Sequence, residues 1–200
     1  HSNVSIELME KQLKELINHC EVEDVILYGV SFGAAVVAKY AANNPENVSF
    51  IGYQVPLIDS ANIPLLSIAK VPLYGDLLTR VLLVPGVLKR IEEYEGLMSK
   101  KLLDHYKGQF EVKGTEKFFK KFFIGNAIGN RLDDHNIIGS SSISVYFAYA
   151  EDDLEIDSQL VEEAIKNYDS PIVKKYSGGH FFSSGIERKV AEEFINSIKN

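Results

Sequence analysis

A glycine-serine-glycine stretch, Gly29-Val30-Ser31-Phe32-Gly33, lies between a strand pattern and a helix pattern. Residues 25–28 before it form a short continuous apolar run, which is typical of a strand covered on both faces in a parallel sheet. Residues 34–42 after it are apolar and mostly small, which predicts a helix packed closely on that sheet. Residues 48–53 predict a second buried strand. The sequence therefore predicts a strand, helix, strand unit with a right-handed parallel crossover.

The serine of this stretch is a candidate nucleophile. A serine held in a sharp strand-to-helix turn needs very small neighbours, and Gly29 and Gly33 supply that freedom. The turn would expose the hydroxyl of Ser31 and direct the helix N-terminus at the place where an oxyanion forms, with the backbone N–H of Phe32 as its donor. The alternative is a glycine-rich turn that only packs, and the stretch by itself does not decide between the two.

A serine hydroxyl needs a base to remove its proton, so a histidine and an acid should follow at other strand ends. Residues 143–149 predict a strand that runs into Ala150-Glu151-Asp152-Asp153, and residues 171–176 predict one that runs into Ser177-Gly178-Gly179-His180. The carboxyl ends of parallel strands lie at one edge of a sheet. We therefore expect Ser31, the acidic cluster and His180 to meet there.

The remaining chain alternates between helix patterns and an irregular insertion. Helical periodicity covers residues 5–19, 158–168 and 186–198. Between residues 56 and 136, prolines separate short apolar segments, which predicts several short helices inserted between two strands. This arrangement is typical of an α/β layer fold with a cap.

With these motifs in view, the chain resembles the C-terminal part of an α/β-hydrolase-superfamily protein. Residues 29–33 resemble the nucleophile elbow of that family. Residues 150–153 resemble its glycine-x-x-aspartate segment, with Ala150 where glycine is usual, and residues 179–181 resemble the segment that bears the base. The resemblance extends over nearly the whole chain and implies the family's parallel-sheet fold with a helical cap insertion.

The resemblance also implies a role for each site residue. Ser31 corresponds to the nucleophile, His180 to the base and Asp153 to the acid, while the Phe32 amide corresponds to an oxyanion donor. The family spacing favours Asp153 over Asp152 as the acid. No cofactor and no metal are expected.

The family resemblance further divides the chain and implies that part of the sheet is missing from it. It places the catalytic core at residues 1–55 and 137–200 and the cap at residues 56–136. The family's sheet begins with strands that precede the elbow strand and its preceding helix, and we expect these N-terminal strands to be missing from this chain. A missing N-terminal segment or a partner chain is therefore expected beside Val25, because an unpaired apolar strand edge invites aggregation.

The function implied is a serine hydrolase that cleaves an ester, thioester or similar carbonyl substrate, a small molecule for which a lipophilic acyl group is one option. Two alternatives remain open. The same triad could serve acyl transfer or cofactor-free oxidation. The scaffold could also be a non-catalytic ligand-binding or interaction module, because a fold does not fix a function.

Composition excludes several other classes. With 21 basic and 28 acidic residues the net charge is −7, which disfavours nucleic acid as a partner. No apolar run is long enough to cross a bilayer, so no stable membrane insertion is expected. The single cysteine, Cys20, suits a reducing compartment, and we expect a cytoplasmic protein.

Two further features are open to a functional and a structural interpretation. His19, His105 and His135 lie away from the predicted strand ends, so we expect them to be surface or packing residues. Residues 116–123 place four phenylalanines at helical spacing beside three lysines, which fits either a lid over a lipophilic substrate or membrane surface, or a packed cap helix. We favour the packed helix.

Overall fold

The computed structural model describes residues 4–60, 75–93, 99–124 and 128–199 of the 200 residues. The chain divides into two compact units, one of residues 1–5 and 62–127 and one of residues 6–61 and 128–200. Parts of the predicted cap, at residues 61–74, 94–98 and 125–127, lie outside the described residues.

A parallel sheet of four strands organises the unit that contains Ser31. Its strands are β1 Val25–Val30, β2 Val48–Gln54, β3 Ser144–Ala150 and β4 Ile172–Tyr176, and each lies beside the next in the order β1-β2-β3-β4. All three pairings are parallel. The predicted parallel α/β sheet is thus confirmed, and its four carboxyl ends lie along one edge.

Nine helices flank the strands or make up the insertion in the part of the chain that the structure describes. They are α1 Ile6–His19, α2 Phe32–Asn43, α3 Gly75–Leu78, α4 Val84–Glu93, α5 Lys100–Glu111, α6 Thr115–Ile124, α7 Leu132–Gly139, α8 Ser158–Ile165 and α9 Ser184–Ile198. A 3-10 turn, Pro45–Asn47, precedes β2, and a π turn, Thr79–Leu83, joins α3 to α4. Among the described residues, no helix combines the length and apolar character that crossing a membrane requires.

The small side chains of α2 explain why this helix lies so close to the sheet. Ala34, Ala38 and Ala41 are at most 2% exposed, and α2 packs against both β1 and α7. Each of these alanines loses no side-chain rotamer freedom when it is buried, so close approach carries little entropic cost. The helix that begins at the candidate nucleophile is therefore fixed firmly on the sheet.

The elbow strand β1 differs from its prediction, because only one of its faces is covered. Leu27 and Gly29 are buried against α2, whereas the alternate side chains Ile26, Tyr28 and Val30 are 46%, 37% and 46% exposed. On that second face the ring of Phe194 lies 4.6 Å from the Tyr28 ring and gives partial cover. The prediction of a strand covered on both faces was wrong, since an apolar run reports composition and not the presence of neighbours.

The described part of the insertion is helical, as the sequence predicts. The Ser99 hydroxyl caps α5 by accepting a hydrogen bond from the Leu102 amide at 3.3 Å. In α6, the rings of Phe118 and Phe122 stack one turn apart with their centroids 6.2 Å from each other, and Phe118 is 49% exposed. The predicted aromatic helix is therefore present.

A buried aromatic cluster surrounds His135 on α7. Its Nδ1 lies 2.5 Å from the Tyr168 hydroxyl, and its ring contacts those of Tyr53 and Phe147. Burial, helped by the nearby Arg131 charge, lowers the pKa of His135 to about 3. His135 is a packing residue that stays neutral in the folded protein, while His19 and His105 are exposed; all three lie where the sequence predicts.

The low pKa of His135 makes the stability of the fold dependent on pH. The unfolded chain takes up this proton near pH 6.5, whereas the folded chain does so only near pH 3. Acid therefore favours the unfolded state between these values, by up to about 1.4 kcal/mol per pH unit. We expect wild type to lose more unfolding free energy between pH 7 and pH 4.5 than His135→Gln does. Urea unfolding at both pH values measures this, and equal losses would contradict it.

Candidate active site

Ser31 occupies the turn between β1 and α2 in a backbone conformation that is rare for any residue except glycine. Its φ is +50° and its ψ is −118°, and it is the N-cap residue of α2. Such a conformation costs roughly 1–3 kcal/mol and persists only where the surroundings enforce it. A strained serine at the carboxyl end of a strand is the geometry that the glycine-serine-glycine stretch predicts.

Three backbone hydrogen bonds enforce this conformation. The Ser31 N–H donates to the Gln54 carbonyl at the end of β2, at 2.9 Å. The Ser31 carbonyl accepts from the N–H of Ala34 at 3.1 Å and of Leu57 at 3.2 Å. The turn is therefore held from its own helix and from the segment after the neighbouring strand.

That neighbouring segment is itself strained. Val55 has a φ of +40°, which is a genuine outlier for a β-branched residue, and it is 1% exposed. Its N–H donates to the Ala148 carbonyl of β3 at 2.8 Å. Val55 lies between Gln54 and Leu57, so these two of the three partners of the Ser31 backbone are linked through a second strained turn.

Gln54 also joins the sheet to α9. Its side-chain oxygen accepts from the Tyr28 hydroxyl at 2.5 Å, and its amide nitrogen donates to both carboxylate oxygens of Glu187, at 2.9 and 3.1 Å. The sequence analysis did not predict Gln54 and Leu57, because both contact Ser31 through backbone atoms, which leave no residue-type signal. Pro56, two residues after the end of β2, was the one residue type in this segment that indicated a turn.

His180 lies beyond the end of β4, and it contacts both other predicted triad residues. Its Nε2 is 2.9 Å from Ser31 Oγ, and its Nδ1 is 2.9 Å from Asp153 Oδ2. The His180 side chain is 7% exposed and that of Asp153 is 0% exposed. Because an ionised carboxylate can only accept, Nδ1–H is the donor to Asp153, which leaves Nε2 to accept the Ser31 hydroxyl proton.

The second oxygen of Asp153 is used by the backbone around it. Asp153 Oδ1 accepts from the N–H of Glu155 at 2.7 Å and of Ile156 at 3.1 Å. These two bonds fix the rotation of the carboxylate, so Oδ2 is presented to His180. They also compensate for the burial of this charge, since an unpaired buried carboxylate is strongly disfavoured.

The other two acids of the cluster bind other partners. Asp152 accepts hydrogen bonds from the backbone N–H groups of Gly178 and Gly179, which lower the pKa of its carboxyl below the ordinary value. Glu151 pairs with Lys175 at 3.0 Å on the exposed surface. Of the two candidates for the acid, Asp152 and Asp153, it is Asp153 that is hydrogen-bonded to the imidazole in this structure.

Comparison with known proteins rests on structure. No protein-family model and no curated protein matches the sequence. The fold is similar to that of the esterase EaEST from Exiguobacterium antarcticum, with a TM-score of 0.76 and 14% identity over 100% of this chain and 75% of that one. It is also similar to a variant of the haloalkane dehalogenase DatA from Agrobacterium tumefaciens C58, with a TM-score of 0.72 and 13% identity over 98% and 73%. A thioesterase domain from the curacin biosynthetic pathway gives a TM-score of 0.66 and 12% identity over 96% and 73%.

The chain has the α/β-hydrolase fold. The described sheet and helices correspond to a part of that fold, since the chain spans about three quarters of the length of these structures. At this level of identity the similarity shows the fold alone.

Phe32, the predicted oxyanion donor, directly follows Ser31 as the first residue of α2. Within the described ranges, no group of three or more His, Cys, Asp or Glu residues could hold a metal ion. The site thus brings a serine, a histidine and an aspartate into contact at the carboxyl edge of the sheet.

The two glycines of the elbow differ in how strictly space requires them. A Cβ at Gly29 would lie 2.6 Å from Ala34 Cα and 2.8 Å from its nitrogen, whereas a Cβ at Gly33 would meet no atom within 4 Å. The expectation that both glycines are needed for space therefore holds only for Gly29.

We therefore expect Gly29→Ala to lower the free energy of unfolding by about 1–3 kcal/mol, because α2 must move away from β1. Gly33→Ala, the matched control, should cause no loss, since alanine is a better helix residue than glycine. Urea unfolding of both variants measures this. Equal losses in the two variants would show that the close approach of Ala34 does not constrain the elbow.

Proposed function

We propose that this protein is a serine hydrolase that cleaves an ester, thioester or similar carbonyl substrate through an acyl-enzyme. The observation that carries the proposal is the continuous chain from Ser31 Oγ through His180 to Asp153, with both contacts at 2.9 Å. It joins a weak nucleophile to a base and the base to a buried charge, which is what activation of a serine requires.

Each residue has a defined role in the proposed reaction. Ser31 Oγ attacks the carbonyl carbon while its proton moves to Nε2 of His180, and Asp153 stabilises the resulting imidazolium. The backbone N–H of Phe32 donates to the developing oxyanion. His180 then protonates the leaving group. In the second half of the reaction His180 takes a proton from the water that attacks the acyl carbon, and it gives this proton to Ser31 Oγ as the bond between that oxygen and the acyl group breaks.

Strain at Ser31 favours an enzyme over a non-catalytic module. A module that only binds a ligand gains nothing from a left-handed serine, which costs roughly 1–3 kcal/mol. Burial of the Asp153 carboxylate adds a further cost that its hydrogen bonds must offset. Both costs are understandable if they hold a reactive hydroxyl in place for catalysis.

The substrate class and the compartment are also part of this proposal. Esterases and a thioesterase are among the proteins of similar structure, which is compatible with a small acyl substrate. Acyl transfer would need only a different acceptor in place of water. Cys20 is exposed and outside any disulfide, which fits a reducing, cytoplasmic environment.

The triad is tested with a fluorophosphonate probe that labels activated serines. We expect Ser31→Ala to abolish labelling, and Asp153→Asn to slow it by about 10⁴-fold because the imidazole then has the wrong tautomer. Ser140→Ala is the matched control, since the Ser140 hydroxyl is exposed and bonds only the Asn136 carbonyl; it should label like wild type. Labelling that survives in Ser31→Ala would remove Ser31 from the mechanism.

We also propose that a further β-strand, from a preceding segment or a partner chain, pairs with the outer edge of β1 beside Val25. Among the described residues β1 lies at one edge of the sheet, and Ile26, Tyr28 and Val30 are exposed on one of its faces. An edge of this kind is prone to recruit another strand.

Hydrogen exchange across residues 25–30 of the native protein tests this pairing. We expect slow exchange at consecutive amides of β1, because a strand paired on both sides has no outward-facing N–H group. Rapid exchange at every second amide would contradict the proposed pairing and leave β1 as a true edge.

A further inference from the structure

We call residues 150–153 the acid loop and residues 177–180 the base loop. These loops are connected by a second contact besides the one between Asp153 and His180. Asp152 Oδ1 lies 3.1 Å from the Gly178 nitrogen and 3.2 Å from the Gly179 nitrogen, and Oδ2 lies 3.1 Å from the Gly178 nitrogen. One carboxylate thus binds the two amides that directly precede His180. Consecutive residues of one turn therefore hold the base loop at two places.

The segment that Asp152 binds is the one with the greatest intrinsic freedom in the base loop. Gly178 and Gly179 have φ values of +122° and +73°, which side-chain-bearing residues rarely adopt. Space does not require glycine here, since a Cβ would meet nothing closer than 3.9 Å at Gly178 and nothing within 4 Å at Gly179. These glycines are needed for their backbone angles, and those angles are compatible with both N–H groups reaching one carboxylate.

Freedom in this segment matters because His180 must satisfy two contacts at once. Its ring holds Asp153 Oδ2 and Ser31 Oγ at 2.9 Å each, and these partners belong to different loops. A shift of about 1 Å in a reacting group can cost on the order of 10²-fold in rate. Two adjacent glycines would permit such shifts unless another group held their backbone.

The charge of Asp152 suits this task. Hydrogen bonds to a carboxylate are shorter and stronger than those to a neutral acceptor. The same N–H groups lower the pKa of its carboxyl below the ordinary value, so the acceptor stays ionised at neutral pH. Asp153 cannot substitute for it, because both Asp153 oxygens are already bonded to other groups.

We propose that Asp152 is a positioning residue for catalysis: its carboxylate fixes the Gly178–Gly179 backbone and so keeps His180 between Ser31 and Asp153. This inference rests on the proposed function for its effect on rate, although the contact itself can be tested without any substrate. The competing view is that Asp152 is a solvated carboxylate whose contacts with the loop have no consequence.

Amide hydrogen exchange, followed by NMR at pH 7, tests the contact directly. The Gly178 and Gly179 amides should be protected in wild type and in Asp152→Asn, which keeps an oxygen acceptor, and should exchange at least about tenfold faster in Asp152→Ala. The downfield Nδ1 proton of His180 should be sharp in the first two proteins and broadened in the third. Glu151→Gln, at the neighbouring exposed acid, is the matched control and should resemble wild type.

Activity measurements test the consequence. With a chromogenic ester, Asp152→Ala should lower kcat about ten- to hundredfold with little change in KM, and Asp152→Asn should recover most of this loss. A structural role alone would not give rescue by the neutral isostere together with a selective loss of kcat.

The outcomes separate this proposal from the proposed function. If the Gly178 and Gly179 amides of wild type exchange at the rate of an unstructured peptide, the proposed hold of Asp152 on this backbone is overturned without any variant. Equal kcat in wild type and Asp152→Ala would overturn its role in positioning. If wild type neither turns over esters nor reacts with a fluorophosphonate, the serine hydrolase proposal fails, and the positioning role in catalysis fails with it; the amide exchange and the His180 proton still decide whether the contact exists.

Discussion

The backbone of Ser31 is held in a conformation that it would not adopt alone, and the candidate site depends on this constraint. Its N–H is bound by the Gln54 carbonyl, and its carbonyl is bound by Ala34 and Leu57. Strand β2 and the turn after it therefore orient the hydroxyl as much as the elbow does. Because the imidazole must meet that hydroxyl, every other part of the site is placed relative to this turn.

The acid and base loops must keep Asp153 and His180 in contact although these residues lie far apart in the sequence. The Asp153 carboxylate is rotated into position by two backbone amides of its own turn. The loop before His180 contains two glycines in left-handed conformations, and the neighbouring Asp152 binds both. Hydrogen bonds from backbone amides to Asp152 and Asp153 thus fix the loops at the points where the chain leaves the sheet.

Much of the fold could be predicted from the sequence, because buried parallel strands produce continuous apolar runs and helices produce a regular repeat. Ser31 followed from the glycine-serine-glycine stretch, and its meeting with His180 followed from the rule that parallel strands end at one edge. The choice between Asp152 and Asp153 did not follow from the residues, since it depends on the hydrogen bonds of a turn, and only the family resemblance favoured Asp153. Gln54 and Leu57 were not predicted, because they contact Ser31 through backbone atoms, which any residue type can supply. The exposed face of β1 was not predicted, because an apolar run does not reveal whether another element covers each face of the strand.

The central claim is that the Ser31 hydroxyl becomes a nucleophile because His180 and Asp153 act on it. Rapid-quench mass spectrometry during turnover of an activated acetyl ester tests this most directly. The account predicts a burst that approaches one acetyl group per chain, located on Ser31 and then lost by hydrolysis. Turnover with no acetyl group on Ser31, or acetylation of another side chain that is equally fast in Ser31→Ala, would contradict it.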